Sequence, residues 1–568
     1  MNANASWTDQ LSLPESLRIL RDLATRHARK SGPYSQPLLS LLEGGDFKGI
    51  CEYELSYDIG ASATDVLEAR QALGFFQKLE PLELGISKEL VAYEKFVESE
   101  AFCKRTNDLF RSLARGTCSV PPAAWTALCS ARRKIKGILG FAPSLERLKF
   151  AFGPGATTSI RKIDANPVAK LAKGFQCSTD VLASGLLSSV LREVPHWTSA
   201  HDSLWSIDEE GWLVETITVE VTPGNLAFVP KNAKTYRSIV VEPSLNGFVQ
   251  TGIGKYIAQR LRAVGIDIRD QTANQKAARE GSLSGELATI DLSSASDLIS
   301  RELVRFLLPR DWYSLLAAFR TSEVRYHDQS IFLEKFSSMG NGFTFPLETL
   351  LFYALTQSVC HDSRVLAYGD DIICPSTKYT DVVTILEFCG FSVNKAKSFH
   401  CGPFRESCGK DYYFGINVRP FYQKHLVSGQ TLFTLHNFYA RALDEESAAY
   451  VRALIPRHLR LYGPDGYGDG HLVSEVYPRI RNRKIRKNGY GGFYFETFAP
   501  LARSFINIYP GDWVSPLYAV YTRSLVCLHD LVPVVQGTGS VDTTSKGRPK
   551  WALPGVDGYS RKLIYTLG

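Results

Sequence analysis

Residues 365–374 read Val365-Leu366-Ala367-Tyr368-Gly369-Asp370-Asp371-Ile372-Ile373-Cys374. Two short apolar runs flank a Tyr-Gly-Asp-Asp core, which predicts strand, tight turn, strand, with Gly369 supplying the backbone freedom of the turn. Asp370 and Asp371 are then adjacent at the tip of a hairpin. Neighbouring carboxylates repel, and a cation relieves that repulsion. Their hard oxygens suit magnesium, which is usually held by one or two carboxylates together with substrate phosphates. A solvated Gly-Asp-Asp turn is the plainer reading of the four residues alone, so the rest of the chain has to decide.

Upstream, Leu287-Ala-Thr-Ile-Asp291 is a short buried-type strand ending in a carboxylate. Ser293 and Ser294 are good helix caps, and Asp297–Leu308 has helical spacing. Asp291 thus lies at the C-terminal end of a strand, where a carboxylate can face a ligand, and Asp297 lies near a helix start, where it could also serve as a cap. Between these segments and the hairpin, Ser337-Ser-Met-Gly-Asn-Gly342 is a polar, glycine-rich loop, followed by an apolar helix over Leu347–Val359 opened by Pro346. Asn341 offers both a donor and an acceptor and could read a hydroxyl group. Downstream, an amphipathic helix over Thr380–Cys389 and a strand over Phe391–Val393 precede Asn394-Lys-Ala-Lys-Ser398, and a second hairpin is predicted from Phe404 to Ile416. Strands and helices in this order give an α+β core with an antiparallel sheet backed by helices.

Further out, strands at Val219–Val221 and Leu226–Pro230 lead into Lys231, Lys234 and Arg237, cations three residues apart ahead of an apolar strand. Cations so placed can offset the charge of a nucleoside triphosphate, although an exposed basic loop has the same composition. Phe152-Gly-Pro-Gly-Ala-Thr-Thr158, beside Arg161 and Lys162, is first of all a turn. The first 150 residues read as mostly helical, and Arg132, Arg133, Lys134 and Lys136 read as the solvated face of a helix. Residues beyond about 425 also read as largely helical. The densest basic run, Arg479–Lys487, includes Arg481, Arg483, Lys484 and Arg486 and precedes Tyr490, Phe493, Tyr494 and Phe495. Cations beside aromatic rings suit single-stranded RNA; a solvated strand edge is the alternative.

Composition sets outer bounds. The chain has 568 residues, 44% hydrophobic, with net charge +7, enough for a large core and compatible with a nucleic-acid partner. Its 11 cysteines show no regular framework, so reduced thiols are expected, and His400, Cys401 and Cys408 lack the second pair that a zinc site needs. No signal peptide and no membrane span is read: the apolar stretch Val514–Val535 is broken by Arg523, His529 and Asp530.

Taken in order, Asp291–Asp297, Ser337–Gly342, Tyr368–Asp371, the Lys397 segment and Phe404–Gly409 resemble the catalytic series of an RNA-directed RNA polymerase, and more closely the replicase β subunits of the leviviruses, small positive-strand RNA bacteriophages. The loop Pro464–Asp469 is most similar to the Qβ branch. The likeness is dense over 228–419 and looser outside it. It implies a right-hand polymerase with palm, fingers and thumb: residues 1–150 a helical region contributing to fingers and thumb, 151–276 fingers, 277–420 the palm, and 421–568 the thumb and C-terminal region. It also implies metal coordination by Asp291, Asp370 and Asp371 with two Mg²⁺. Lys231, Lys234 and Arg237 would line the nucleotide entrance, Asp297 and Asn341 would inspect the ribose, and Lys397 would donate a proton to pyrophosphate. The Phe404–Gly409 turn would support the primer end. The implied partners are a single-stranded RNA template, NTPs, host elongation factors Tu and Ts and an RNA-binding ribosomal protein, in the cytoplasm of the bacterial host and without a membrane. Two rivals are a reverse transcriptase, which usually carries a bulky ring soon after the first metal aspartate where this chain has Leu292-Ser-Ser-Ala-Ser296, and a non-catalytic RNA-binding protein, against which three intact aspartates argue.

Overall fold

The computed structural model describes residues 6–57, 60–162, 165, 167–198, 201, 204–361, 363–481 and 491–502, short strands at 506–507, 535–536, 540–541 and 550–551, and the segment 556–566. Helix α1 (Leu13–Lys30) starts at a capping box in which Ser12 and Glu15 satisfy each other's backbone N–H, and it buries Leu20, Leu23 and Ala24. With α2 (Ala63–Gly74) it forms a core that also takes in residues far along the chain, among them Phe433, Tyr439 and Val451. The long helix α3 (Lys88–Arg115) ends at Gly116, whose φ of 69° gives the left-handed exit a helix terminus favours. Helix α4 (Pro122–Leu139) buries Ala131, Ile135 and Leu139 and leaves Arg132, Arg133 and Lys136 outside, the solvated basic face expected of it.

The larger core carries the catalytic-looking elements. Strands β1 (Gly224–Pro230) and β2 (Tyr236–Val241) form an antiparallel hairpin whose turn, 231–235, holds Lys231 and Lys234. Helix α5 (Ser244–Ala263) follows it into the larger core, and α6 (Thr272–Ser284) leads to strand β3 (Leu287–Ile290). A two-residue strand β4 (Leu292–Ser293) and the 3-10 turn Ala295–Leu298 precede α7 (Arg301–Leu307). One continuous helix over Asp297–Leu308 was the expectation, and here it breaks at Ile299–Ser300. The physical reason is tertiary: Phe336 N–H donates to Ile299 O at 2.7 Å, and Ser300 bridges Lys335, so the backbone pairs with a distant segment instead of continuing the helix.

Helix α8 (Thr344–Cys360) is buried along nearly its whole length and underlies the three-stranded antiparallel sheet. That sheet has the order β5 (Leu366–Tyr368), β6 (Asp371–Pro375), β3, with β6 in the centre. Helix α9 (Tyr379–Phe388) leads to β7 (Ser392–Val393), which pairs with β4. Strands β8 (Phe404–Ser407) and β9 (Lys410–Tyr413) form the second hairpin, with Cys408 and Gly409 at its turn.

After α10 (Gly429–Arg441) and α11 (Glu445–Leu454) the helical expectation fails. Strand β10 (Phe493–Ala502) pairs antiparallel with β11 (Val556–Thr566). The cause is visible at Phe495, Glu496 and Thr497, which run buried, exposed, buried, a period of two and not of 3.6. Among the described residues no helix is long and apolar enough to cross a membrane, and Cys401 and Cys408 are free thiols.

Candidate active site

Tyr368 pairs with Asp371, so the hairpin loop is the two residues Gly369 and Asp370. Gly369 takes φ of 58° at the first position of that loop, as the favoured two-residue turn with glycine leading requires. Its N–H donates to Thr349 Oγ1 of α8 at 2.9 Å, which anchors the turn to the buried helix. Across the sheet Ile372 pairs with Ile290, so the next residue of each strand, Asp371 and Asp291, are opposite one another at the end of the ladder. Two carboxylates about 80 positions apart in sequence are thus brought together by strand register alone.

Each is held by its own hydrogen bonds. Asn394 Nδ2 donates to Asp291 Oδ2 at 2.9 Å, and Asp291 N–H donates to Ser398 Oγ at 3.1 Å. Cys408 N–H and Ser407 Oγ donate to Asp371 Oδ1 at 3.1 and 3.2 Å. Burial pushes the Asp291 carboxyl up to about 7, opposed by Lys397 and reinforced by Asp370 and Asp371. Burial also raises Asp370, and raises Asp371 to about 6 with Asp370 and Glu406 adding to it. Three carboxyls that resist ionisation because they are enclosed and crowd one another present a local deficit of positive charge.

Asp291 and Asp370 open onto a cavity of about 630 Å³. Its walls also carry Asp297 and four cations, Lys95, Lys231, Arg237 and Lys397. Burial and the neighbouring cations Arg237, Lys397 and Lys95 hold the Lys231 ammonium below the usual lysine range. Such crowding of positive charge is what an anionic ligand would relieve. Of the residues singled out from sequence, Asp371, Lys234 and Asn341 are not on this wall; Asp371 lies behind Asp370, on the ladder. Asn341 Oδ1 accepts from Phe343 N–H at 3.0 Å, while its Nδ2 is buried without a partner. The Arg481 guanidinium lies over the Phe493 ring at 5.4 Å; Arg483, Lys484 and Arg486 lie outside the described residues.

Several members of the site had no sequence signal of their own. Lys95 comes from α3, whose residues Ala92, Lys95, Phe96, Ser99 and Phe102 line the cavity at helical spacing. Glu348, buried in α8, accepts from Ser296 Oγ at 2.6 Å, and burial pushes it up to about 8. Asn394 and Ser398 flank Lys397 and are marked by no motif of their own.

Paired aspartates facing a third across one antiparallel ladder, with cations lining the same cavity, suit an enzyme that joins nucleotides. The chain belongs to the family described as RNA replicase, beta-chain, whose model matches residues 65–477. That span includes the three aspartates and the whole cavity wall and ends before the basic run at 479–487. The RNA-directed RNA polymerase subunit beta of Escherichia virus Qbeta is 39% identical over 429 residues, which cover 72% of this chain and 69% of that protein. The protein of the same name from Enterobacteria phage SP is 38% identical over 415 residues, 69% of this chain and 68% of that one. Among solved structures, the BmCPV RNA-dependent RNA polymerase at elongation state aligns over 60% of this chain and 33% of that one, with 13% identity and a TM-score of 0.35.

Proposed function

We propose that this replicase β chain is the catalytic subunit of a phage replicase, an RNA-directed RNA polymerase that copies a single-stranded RNA template from NTPs and releases pyrophosphate. The observation that carries the reading is the register that sets Asp291 against Asp371 beside Asp370, at a cavity walled by Lys231, Arg237 and Lys397. In this reading the β5–β6–β3 sheet and α8 belong to the palm (277–420), the β1–β2 hairpin to the fingers (151–276), residues 1–150 contribute to fingers and thumb, and 421–568 form the thumb and C-terminal region.

Asp291, Asp370 and Asp371 are the residues that would hold two Mg²⁺ ions. The donor set fits: it is all carboxylate oxygen, and burial, which raises all three carboxyls, disfavours their charge in a way that a bound dication would offset. Among the described residues no three His, Cys, Asp or Glu side chains form a ready-made cage; Mg²⁺ held here would take the rest of its shell from water and substrate phosphates. When bound, the ions supply Lewis-acid activation of the attacking hydroxyl and neutralise charge on the leaving group.

The protein's own groups do the positioning. Lys231 and Arg237 bind the triphosphate from the cavity wall. The RNA 3′-hydroxyl gives up its proton to water, its oxygen forms a bond to the α-phosphorus, the bond from that phosphorus to the bridging oxygen breaks, and Lys397 gives a proton to the departing pyrophosphate. Asp297 accepts a hydrogen bond from the 2′-hydroxyl, Asn341 inspects the ribose with it, and Lys234 belongs to the nucleotide entrance with Lys231 and Arg237. Arg481 and the basic run beyond it contact RNA. The partners proposed are host elongation factors Tu and Ts and an RNA-binding ribosomal protein, in the bacterial cytoplasm.

The test is template-dependent incorporation of a labelled ribonucleotide with added Mg²⁺. Asp370→Asn is expected to abolish incorporation while RNA binding and the thermal melt stay unchanged. Full incorporation by that variant removes the carboxylate assignment.

A further inference from the structure

Lys335 is a fully buried cation that no part of the proposed chemistry uses. Its side chain is 1% exposed, and its Nζ lies 2.8 Å from Asp297 Oδ1 and 3.6 Å from Glu100 Oε1. The Phe96 ring sits under the ammonium at 4.3 Å. A lysine buried without partners would lose its charge. Here burial works against the ammonium, and Asp297 and Glu100 more than reverse it, so Lys335 is held above the usual lysine range.

The surroundings make this pair a clamp. Glu100 belongs to α3, and its Oε2 accepts from the backbone N–H of Glu334 at 2.5 Å and of Lys335 at 3.4 Å. Glu100 Oε1 makes no hydrogen bond and meets Lys335 only as a charge. Asn107, two turns further along α3, donates to Glu334 O at 2.9 Å and accepts from Glu302 N–H at 2.8 Å. Cys103 Sγ donates to Asp297 O at 3.3 Å. Helix α3 therefore fixes both chain segments that carry the pair. With Oδ1 committed to Lys335, Asp297 keeps Oδ2 for the cavity side, where Ser238 Oγ donates to it at 3.3 Å.

We propose that Lys335 is a specificity-determining positioning residue: clamped between Asp297 and Glu100, it holds Asp297 with one oxygen turned to the sugar of the bound nucleotide, so that discrimination between ribose and deoxyribose depends on a lysine outside the cavity. The proposal rests on the reading of Asp297 as the ribose-facing group. Its logic is electrostatic. Without Lys335, the carboxylates of Asp297 and Glu100 would share a dry pocket with no cation between them, and their repulsion would turn Asp297 out of its present orientation. With Oδ1 released from Lys335, the oxygen that Asp297 offers to a 2′-hydroxyl is no longer held in one orientation.

The experiment measures kcat/KM for a ribonucleotide and for the 2′-deoxy analogue of the same base, on one template, with Lys335→Met, Lys335→Arg, Asp297→Ala and the Lys335→Met/Asp297→Ala double variant. Lys335→Met is expected to lower the ribo-to-deoxy ratio roughly 10- to 100-fold, the worth of one hydrogen bond to a charged group, mainly through the ribonucleotide. Lys335→Arg, which keeps the charge, is expected to recover most of the ratio. The double variant is expected to match Asp297→Ala alone. A merely structural role would depress both substrates alike and leave the ratio in place, which overturns the proposal. If Lys335→Met fails to give a cooperative melt, Lys335→Gln carries the same expectation. An unchanged ratio in the lysine variants with a relaxed ratio in Asp297→Ala removes the clamp and leaves Asp297 as the sugar reader; an unchanged ratio in Asp297→Ala removes both.

Discussion

The backbone N–H of Cys408 donates to Asp371 Oδ1 at 3.1 Å. The turn of the β8–β9 hairpin is therefore a holder for one of the three aspartates, and Asp371 is fixed from a segment almost 40 residues further along the chain. Ser407 Oγ reaches the same oxygen at 3.2 Å. Ser407→Ala removes the weaker of the two donors and leaves the backbone one. The expected outcome is a stability loss of about 1 kcal/mol and a fall in turnover of roughly two- to tenfold, read by thermal melting and single-turnover incorporation. Unchanged turnover would make the hydroxyl a passive neighbour.

Gly369 has no space for a side chain. A Cβ built there lies 2.5 Å from Phe345 Cε2 and 2.9 Å from Glu348 Oε1, and φ is 58°. The left-handed backbone alone costs an ordinary residue about 1–2 kcal/mol, and the collision pushes the turn off α8. Gly369→Ala is expected to lower the melting temperature and to reduce incorporation by roughly tenfold or more, because the displaced residue is the neighbour of Asp370. Wild-type activity in a variant with a lowered melt would show that the turn tolerates the shift.

Glu242 gives a pH prediction away from the active site. It is wholly enclosed, it accepts from Gln250 Nε2 at 3.0 Å and from Thr321 Oγ1, and burial pushes its carboxyl up to about 7 from 4.5. Below about pH 4.5 folded and unfolded states are both protonated and there is no penalty. As pH rises toward 7 the unfolded chain releases the proton while the folded one retains it, so stability falls, by up to about 3 kcal/mol once above the folded value. Glu242→Gln stays neutral throughout. Its melting temperature is expected to exceed that of the wild type by a margin that widens between pH 5 and pH 7.5, and a constant margin would show that Glu242 does not titrate in this range.

The aspartate hairpin, the strand ending at Asp291 and the second hairpin are legible in the sequence because each is local: an apolar run, a turn residue, a carboxylate at a strand end. What brings Asp291 to Asp371 is the pairing of β3 with β6, and the order of the motifs points to that pairing only through resemblance to a family. Lys335 and Glu100 carry no motif; they become a pair because α3 packs against the segment ahead of the Ser337–Gly342 loop. The same packing ends the helix expected over Asp297–Leu308, since Ile299 and Ser300 bond to Lys335 and Phe336. Lys95 reads as one more charge on an amphipathic helix until the helix is set beside the cavity. In each case the missing information was tertiary, a contact between segments more than 30 residues apart.

Asp411 joins the N-terminal helices to the site. It is 0% exposed and lies between two guanidinium groups, with Arg70 Nη2 on Oδ2 and Arg419 Nη1 on Oδ1 at 2.8 Å. Arg70 also donates to Val418 O at 3.2 Å and to the Tyr57 hydroxyl, so α2 is fastened to the strand that carries Asp411. Asp411→Asn keeps the shape and removes the charge. Two cations then share a buried pocket with a neutral amide, a loss of about 3–5 kcal/mol for a broken buried pair. Because β9 is the partner of β8, whose turn holds Asp371, turnover should fall together with stability even well below the melting temperature. The Arg70→Met/Asp411→Leu double variant separates the causes. It replaces charge with apolar volume, and such replacements are often close to neutral, so it is expected to melt above Asp411→Asn. If the double variant melts lower than the single one, the cluster contributes net attraction beyond its cost of burial, and the fastening of α2 is electrostatic and not a matter of packing.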